Sequence, residues 1–143
     1  HIVSTHKGQI SFPGGMEDAE DNHISETAKR ETFEEIGLPI EKNNIIGFFD
    51  DYISIHEVHI TAAVSVAPYP VEYIMNEDEI DLILEVPLQL FIDQDYDQLQ
   101  MINYRGSDHK VYFYHYDDQE IWGLTARILT DFGEMLLNNY SLS

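Results

Sequence analysis

Between Gln9 and Leu38 the chain spells out a strand, a glycine turn and one well-bounded helix, and any fold it adopts must accommodate that unit. Gln9-Ile10-Ser11-Phe12 alternates polar and apolar residues and runs into Pro13-Gly14-Gly15, which predicts a short strand ending in a tight turn. The helix is predicted from about Ile24 to Ile36. Asp21 or Asn22 can cap its start, Gly37 suits the left-handed position after its end, and Pro39 prevents its continuation.

Beyond this unit, residues 45–55 and 58–66 are rich in β-branched and aromatic side chains with a short polar link, and predict two adjacent strands arranged as a hairpin. An acidic loop over 76–81 leads to an apolar segment over 82–88. Residues 110–116 are another strand candidate, and 123–138 show the apolar spacing Leu124, Ile128, Phe132, Met135, Leu136 of an amphipathic helix. Strands mixed with helices, without repeats or linkers, predict an α/β sandwich.

A length of 143 residues with 43% hydrophobic side chains supports one core, so a single domain over 1–143 is expected. The net charge of −20, from 27 acidic against 7 basic side chains, opposes a bare basic groove for nucleic acid or attraction to an anionic membrane. Cysteine is absent, which excludes disulfides and thiolate metal sites and is compatible with a cytoplasmic location. No apolar run approaches the ~20 residues needed to span a bilayer. The sequence starts at His1 without methionine and soon reads as the interior of a domain, so an N-terminal piece is expected to be missing.

The chemistry lies on the first helix. Glu31, Glu34 and Glu35 follow an i, i+3, i+4 spacing, which brings three like charges onto one face. A solvated acidic face is the ordinary reading. The sharper one is a seat for hard divalent cations, which neutralise carboxylate clusters and keep waters that substrate phosphates can replace. Context favours the second: a glycine carbonyl of the preceding turn can add a neutral oxygen, and Arg30 can hold a carboxylate in place.

Residues 15–38 resemble the Nudix box, whose second half is matched by Arg30-Glu31-Thr32-Phe33-Glu34-Glu35-Ile36-Gly37-Leu38, with Thr32 at a nominally apolar place. The interval from Gly15 to Arg30 is one residue longer than in the standard box, and Asp21 stands where glutamate is usual. That longer interval, with Gly8 to Gly15, Asp18, Asp21 and Thr27-Ala28-Lys29-Arg30-Glu31, resembles the coenzyme A pyrophosphatase branch. Glu79-Ile80, Val86-Pro87-Leu88 and Ile121-Trp122-Gly123-Leu124-Thr125-Ala126 are similar to further elements of that branch.

The resemblance implies a Nudix-like α/β/α sandwich with a mixed central sheet, and hydrolysis of the diphosphate in coenzyme A or acyl-coenzyme A. The products would be phosphopantetheine, or its acyl form, and adenosine 3′,5′-bisphosphate. It implies Mg²⁺ or Mn²⁺ held by Gly15, Glu31, Glu34 and Glu35. Glu31 and then Glu79 are the candidate general bases, and Arg30 orients the carboxylates; its ordinary alternative is a surface ion pair with Glu26 or Glu34. Lys7 and His6, just ahead of the strand, are candidate phosphate contacts. The expected partner is a small nucleotide-type molecule, neither nucleic acid nor membrane, and a homodimer is compatible although no patch in the sequence marks an interface. Two alternatives stand beside this reading: the same chemistry on a nucleoside diphosphate sugar or dinucleotide, and a non-catalytic nucleotide sensor.

Three other signals are weaker. His56-Glu57-Val58-His59 has its histidines three apart in a strand-like run, which puts them on opposite faces and argues against zinc. Asp93-Gln94-Asp95-Tyr96-Asp97 begins like a calcium loop but has Gln98 where glycine is required. Trp122 is expected to be a packing residue of the core, and nothing decides which face of the strand over 112–116 is buried.

Overall fold

A computed structural model of the chain describes residues 2–6, 9–16, 23–41, 44–53 and 57–140. The fold is mixed α/β, as the sequence predicts, with antiparallel strand pairs and helices. The chain divides into two compact units, Ser4–Ile83 and Leu84–Ser143, the latter joined by His1–Val3.

In the unit Ser4–Ile83, strands β1 (Ile2–His6) and β2 (Gln9–Ser11) pair antiparallel with Thr5 opposite Ile10. Helix α1 spans Ile24–Ile36, as its pattern predicts, but its start differs from expectation. His23 is the N-cap, and its Nδ1 accepts from the Ser25 backbone N–H at 3.1 Å. Asp21 and Asn22, the expected caps, lie outside the described residues. An imidazole nitrogen with a lone pair does the work more often given to a carboxylate or amide oxygen. The other end is as expected. Gly37 sits at φ 70° and its N–H donates to the Phe33 carbonyl. A Cβ there would meet the Ile74 backbone nitrogen at 2.9 Å, so the position requires glycine both for conformation and for space.

Strands β3 (Ile45–Ile53) and β4 (His59–Ser65) form the expected antiparallel pair, with register shifts after Ile45 and after Phe49. Ile10, Ile36, Leu38, Tyr52 and Ile80 are buried, and Thr27 is a buried polar residue on α1. β5 (Leu82–Glu85) closes the segment at the boundary of the two units.

In the second unit, short helix α2 (Gln89–Ile92) precedes a three-stranded antiparallel meander of β6 (Gln98–Tyr104), β7 (Ser107–Tyr116) and β8 (Gln119–Trp122), and α3 runs from Gly123 to Tyr140. α3 packs on β7, β8 and α2. Its buried stripe is Ala126, Leu129, Thr130 and Gly133, together with Ile128. This corrects the stripe read from apolar residues alone, in which Met135 is 37% exposed. The i, i+3, i+4, i+7 spacing survives, but threonine and glycine occupy two of its places and do not register as apolar. Gly133 is there because a Cβ would lie 2.5 Å from the Phe91 carbonyl carbon and oxygen.

Tyr114 and Phe91 are fully buried, with their rings edge to face at 4.8 Å between centroids. The Thr130 hydroxyl donates its single proton to the Ala126 carbonyl at 2.7 Å, so the Tyr114 hydroxyl must donate to Thr130 Oγ1, also at 2.7 Å. Burial raises the Tyr114 phenol above its ordinary range. Neighbouring Phe113 lies on the other face, stacked at 6° and 5.9 Å on Trp122. Trp122 is 45% exposed, so it is a surface stacking residue rather than the core residue expected.

Candidate active site

All three glutamates of interest lie on α1, and the glycine turn comes back over that helix in the same unit. Three separate contacts join turn to helix. The Gly14 N–H donates to Glu35 Oε2 at 3.3 Å. A Cβ on Gly15 would stand 2.7 Å from Glu31 Oε1 and 2.8 Å from its carboxyl carbon, so the absence of a side chain lets that carboxylate lie against the turn backbone. Arg30 Nη2 donates to the Met16 carbonyl at 3.4 Å.

Arg30 also ties the carboxylates to one another. Its Nη1 donates to Glu31 Oε1 at 3.0 Å and to Glu34 Oε2 at 3.4 Å. One guanidinium thus spans two glutamates and a turn carbonyl, which a lysine ammonium could not do with the same planar fork. The ordinary i, i+4 pair with Glu34 is present, while Glu26 pairs instead with Lys29 at 3.1 Å. Glu31 is mostly covered, with a side-chain exposure of 18%, whereas Glu34 is half exposed at 51%. The like charges on this face are therefore relieved by one cation and one backbone dipole.

These residues fit a hard divalent cation. Carboxylate oxygens and a glycine carbonyl are the ligand types such ions take, and the turn brings Gly15 against Glu31. Among the described residues no three His, Asp or Glu side chains converge into a metal cage by themselves. A magnesium-type site does not need one, because the ion keeps waters and takes further oxygens from the phosphates it serves.

Glu79 sits on a loop that the sequence marks only as acidic. It is exposed, and its placement comes from Asn76, which sequence reasoning passed over. The Asn76 N–H donates to the Glu35 carbonyl at 2.8 Å, and its own carbonyl accepts from the N–H groups of Glu79 and Ile80 at 3.0 and 2.8 Å. Its side-chain Oδ1 accepts from the Asp78 N–H at 3.2 Å. With Ile74 N–H bonded to the Ile36 carbonyl at 2.9 Å, the loop satisfies carbonyls left open at the end of α1. An asparagine ahead of Glu77-Asp78 is a local turn signal that could have identified it.

Of the two phosphate candidates, Lys7 lies outside the described residues, and for His6 only the backbone pairing with Gln9 in β1 is described. Asp18 and His56 also lie outside them. His59 is an exposed residue at the start of β4, and Asp93 to Asp97 form the exposed or half-exposed loop expected of a solvated acidic segment. No helix among the described residues is long and apolar enough to cross a membrane.

Residues 3–102 match the NUDIX domain family. The chain is 35% identical over 127 residues to a protein of Photorhabdus laumondii named uncharacterized Nudix hydrolase NudL, an alignment covering 89% of this chain and 68% of that protein. Proteins of the same name from Yersinia pestis and Yersinia pseudotuberculosis are 33% identical over 124 residues, covering 87% of this chain and 62% of each relative. The chain thus spans about two thirds of the length of these relatives. The family match takes in the turn over 14–16, all of α1 and the Glu79 loop, and with that coverage the chain belongs to the Nudix hydrolases, a family of divalent-metal-dependent pyrophosphohydrolases.

Proposed function

We propose that this chain hydrolyses the diphosphate linkage of coenzyme A or its acyl derivatives, releasing phosphopantetheine or its acyl form and adenosine 3′,5′-bisphosphate. The observation that carries the chemistry is the contact of the Gly14-Gly15-Met16 turn with Glu35, Glu31 and Arg30. The choice of coenzyme A rests on the longer interval between Gly15 and Arg30 and on the Ile121-Trp122-Gly123 segment of the sequence.

A diphosphate resists hydrolysis because its own negative charge repels the nucleophile. Mg²⁺ or Mn²⁺, when bound, supplies the neutralising charge and makes water easier to deprotonate. In this reading Glu31, Glu34, Glu35 and the Gly15 carbonyl hold that charge at the turn. Glu31 is the first candidate to take the proton from water, and Glu79 the second. Arg30 is a positioning residue: its fork keeps Glu31 and Glu34 from splaying apart before the substrate arrives. Lys7 and His6 remain the proposed contacts to substrate phosphate. We place the whole sequence 1–143 in a single hydrolase domain working on a small molecule in the cytoplasm.

The test is product identity. The chain is incubated with coenzyme A, a nucleoside diphosphate sugar and a dinucleotide, each with Mg²⁺ and with Mn²⁺, and the products are weighed by mass spectrometry. Adenosine 3′,5′-bisphosphate as the preferred product supports the proposal. Faster release of a nucleoside monophosphate from either of the other substrates would replace the substrate assignment, and no turnover of any of them would favour a sensor.

A further inference from the structure

The outer strand of the second unit lacks the usual protection of a sheet edge. In the order β6-β7-β8, β6 has a partner on one side only, and among the described residues no strand pairs with its other edge. Sheet edges are ordinarily blunted by short length, proline, lysine or a bulge, because a row of open backbone N–H and C=O groups recruits another strand. β6 has none of these. It is seven residues long, pairs with β7 in unbroken register from Gln98 to Tyr104, and is exposed at every position. Leu99, Met101, Ile102 and Tyr104 are exposed by 39, 60, 43 and 41%. The turn beyond it is a tight one, with Arg105 and Gly106 both at positive φ.

Charge indicates what can cover this edge. The chain carries −20, so two copies repel unless they meet over a strip free of acid, and Gln98-Leu99-Gln100-Met101-Ile102-Asn103-Tyr104 contains no charged residue at all. The strip is flanked on one side by Asp97, whose carboxylate also holds His115 of its own chain, and on the other by Arg105. Antiparallel pairing of two β6 strands about a twofold at Met101 places Asp97 of each copy opposite Arg105 of the other. Parallel pairing would set like charge against like.

We propose that β6 is a self-association edge, and that two copies of the chain join antiparallel through it into one continuous six-stranded sheet centred on Met101. In this register Leu99 lies opposite Asn103 of the second copy, Gln100 opposite Ile102, and the two Met101 side chains meet across the axis. Leu99, Met101 and their equivalents then form one apolar row on a single face. Such a contact gives a weak, concentration-dependent dimer, strengthened by salt that screens the overall repulsion. It is independent of the catalytic reading, since no residue of the turn or of α1 takes part.

Sedimentation equilibrium of the chain at low and high concentration reads the association directly. The expected result is a shift from 16.6 kDa towards twice that mass. Met101→Lys puts two ammonium groups on the axis and is expected to raise the dissociation constant by ~10-fold or more. Arg105→Glu, a second variant outside the strand, replaces two attractive flanks by two repulsive ones and is expected to weaken the dimer at low salt. The register has its own test, because the native chain has no cysteine. Under mild oxidation Met101→Cys should give a disulfide-linked dimer, and Leu99→Cys, whose counterpart is displaced along the strand, should not. A monomer at every concentration, or a dimer indifferent to both charge variants, overturns the proposal. Preferential cross-linking through Leu99→Cys overturns the register.

Discussion

The two units handle their polar groups in opposite ways. In Ser4–Ile83 the decisive polar side chains stand at a partly open surface, where Arg30 holds Glu31 and Glu34 and the Gly14 N–H meets Glu35. In Leu84–Ser143 they are buried and satisfied in series, Tyr114 to Thr130 to the Ala126 carbonyl, under Phe91. No buried side-chain nitrogen or oxygen among the described residues lacks a partner. The first arrangement keeps carboxylates available to a ligand while suppressing their mutual repulsion. The second fixes a core and offers nothing to a ligand. Substitutions in the first unit should therefore change activity with little effect on stability, and those in the second should do the reverse.

The largest expected break in that contrast is at Glu31. Glu31→Gln keeps the shape of the side chain and should lower diphosphate turnover by ~10²- to 10⁴-fold, the range of a general base, while the thermal midpoint stays close to that of the native chain. If unfolding follows the activity loss, Glu31 is a structural residue and the contrast fails. Next comes Gly133→Ala, whose methyl would press on the Phe91 carbonyl at 2.5 Å and should cost about 1–3 kcal/mol in denaturant unfolding. Tyr114→Phe removes the donor to Thr130 and should cost about 1 kcal/mol in the same measurement, with no change in metal dependence.

The smallest effect sharpens the comparison, because it concerns a charged cluster in the second unit. His115 Nδ1 lies 2.5 Å from Asp97 Oδ2 and its Nε2 lies 3.1 Å from Glu120 Oε2. An imidazole facing carboxylates on both nitrogens must donate from both, so the paired form is the imidazolium. The hydrogen bond to Asp97 raises the His115 pKa; desolvation opposes it, and the charges of Asp97 and Glu120 with the Glu120 hydrogen bond add to the rise, which wins. A pKa raised by folding means stability that is fully present below the unfolded value and lost as pH rises through the folded one. NMR titration of the ring should give a midpoint above 6.5, and Asp97→Asn should bring it down. The ring is about half exposed, so the accompanying change in stability should be slight, unlike the effect of Gly133→Ala.

Much of the first unit was legible in the sequence because its punctuation is local. Gly37 and Pro39 ended α1 where a left-handed cap and a missing N–H must end a helix, and the β3–β4 pair followed from two β-branched runs. The pairing of Arg30 with Glu34 also followed from its i, i+4 spacing, whereas the contact with the adjacent Glu31 did not. What sequence could not give was anything requiring close packing at a distance. The α3 stripe was misplaced because Thr130 and Gly133 are buried for their partners, Tyr114 and Phe91, rather than for hydrophobicity. β6 was overlooked because Gln98, Gln100 and Asn103 break the apolar alternation; a strand exposed on both faces carries no burial pattern to read. Asn76 went unnoticed for a different reason. Its side-chain turn with Asp78 is a signal the sequence carries, but the backbone bonds that tie it to Glu35, Glu79 and Ile80 are not encoded by composition.

The account depends on the glutamates of α1 serving to hold divalent cations against a diphosphate. The most direct measurement is turnover of coenzyme A by Glu34→Gln and Glu35→Gln, each titrated with Mg²⁺ and Mn²⁺ and compared with the native chain. The account predicts a large fall in turnover for both variants, together with a metal requirement displaced to higher concentration. Near-native turnover by both, with an unaltered metal titration, would contradict it.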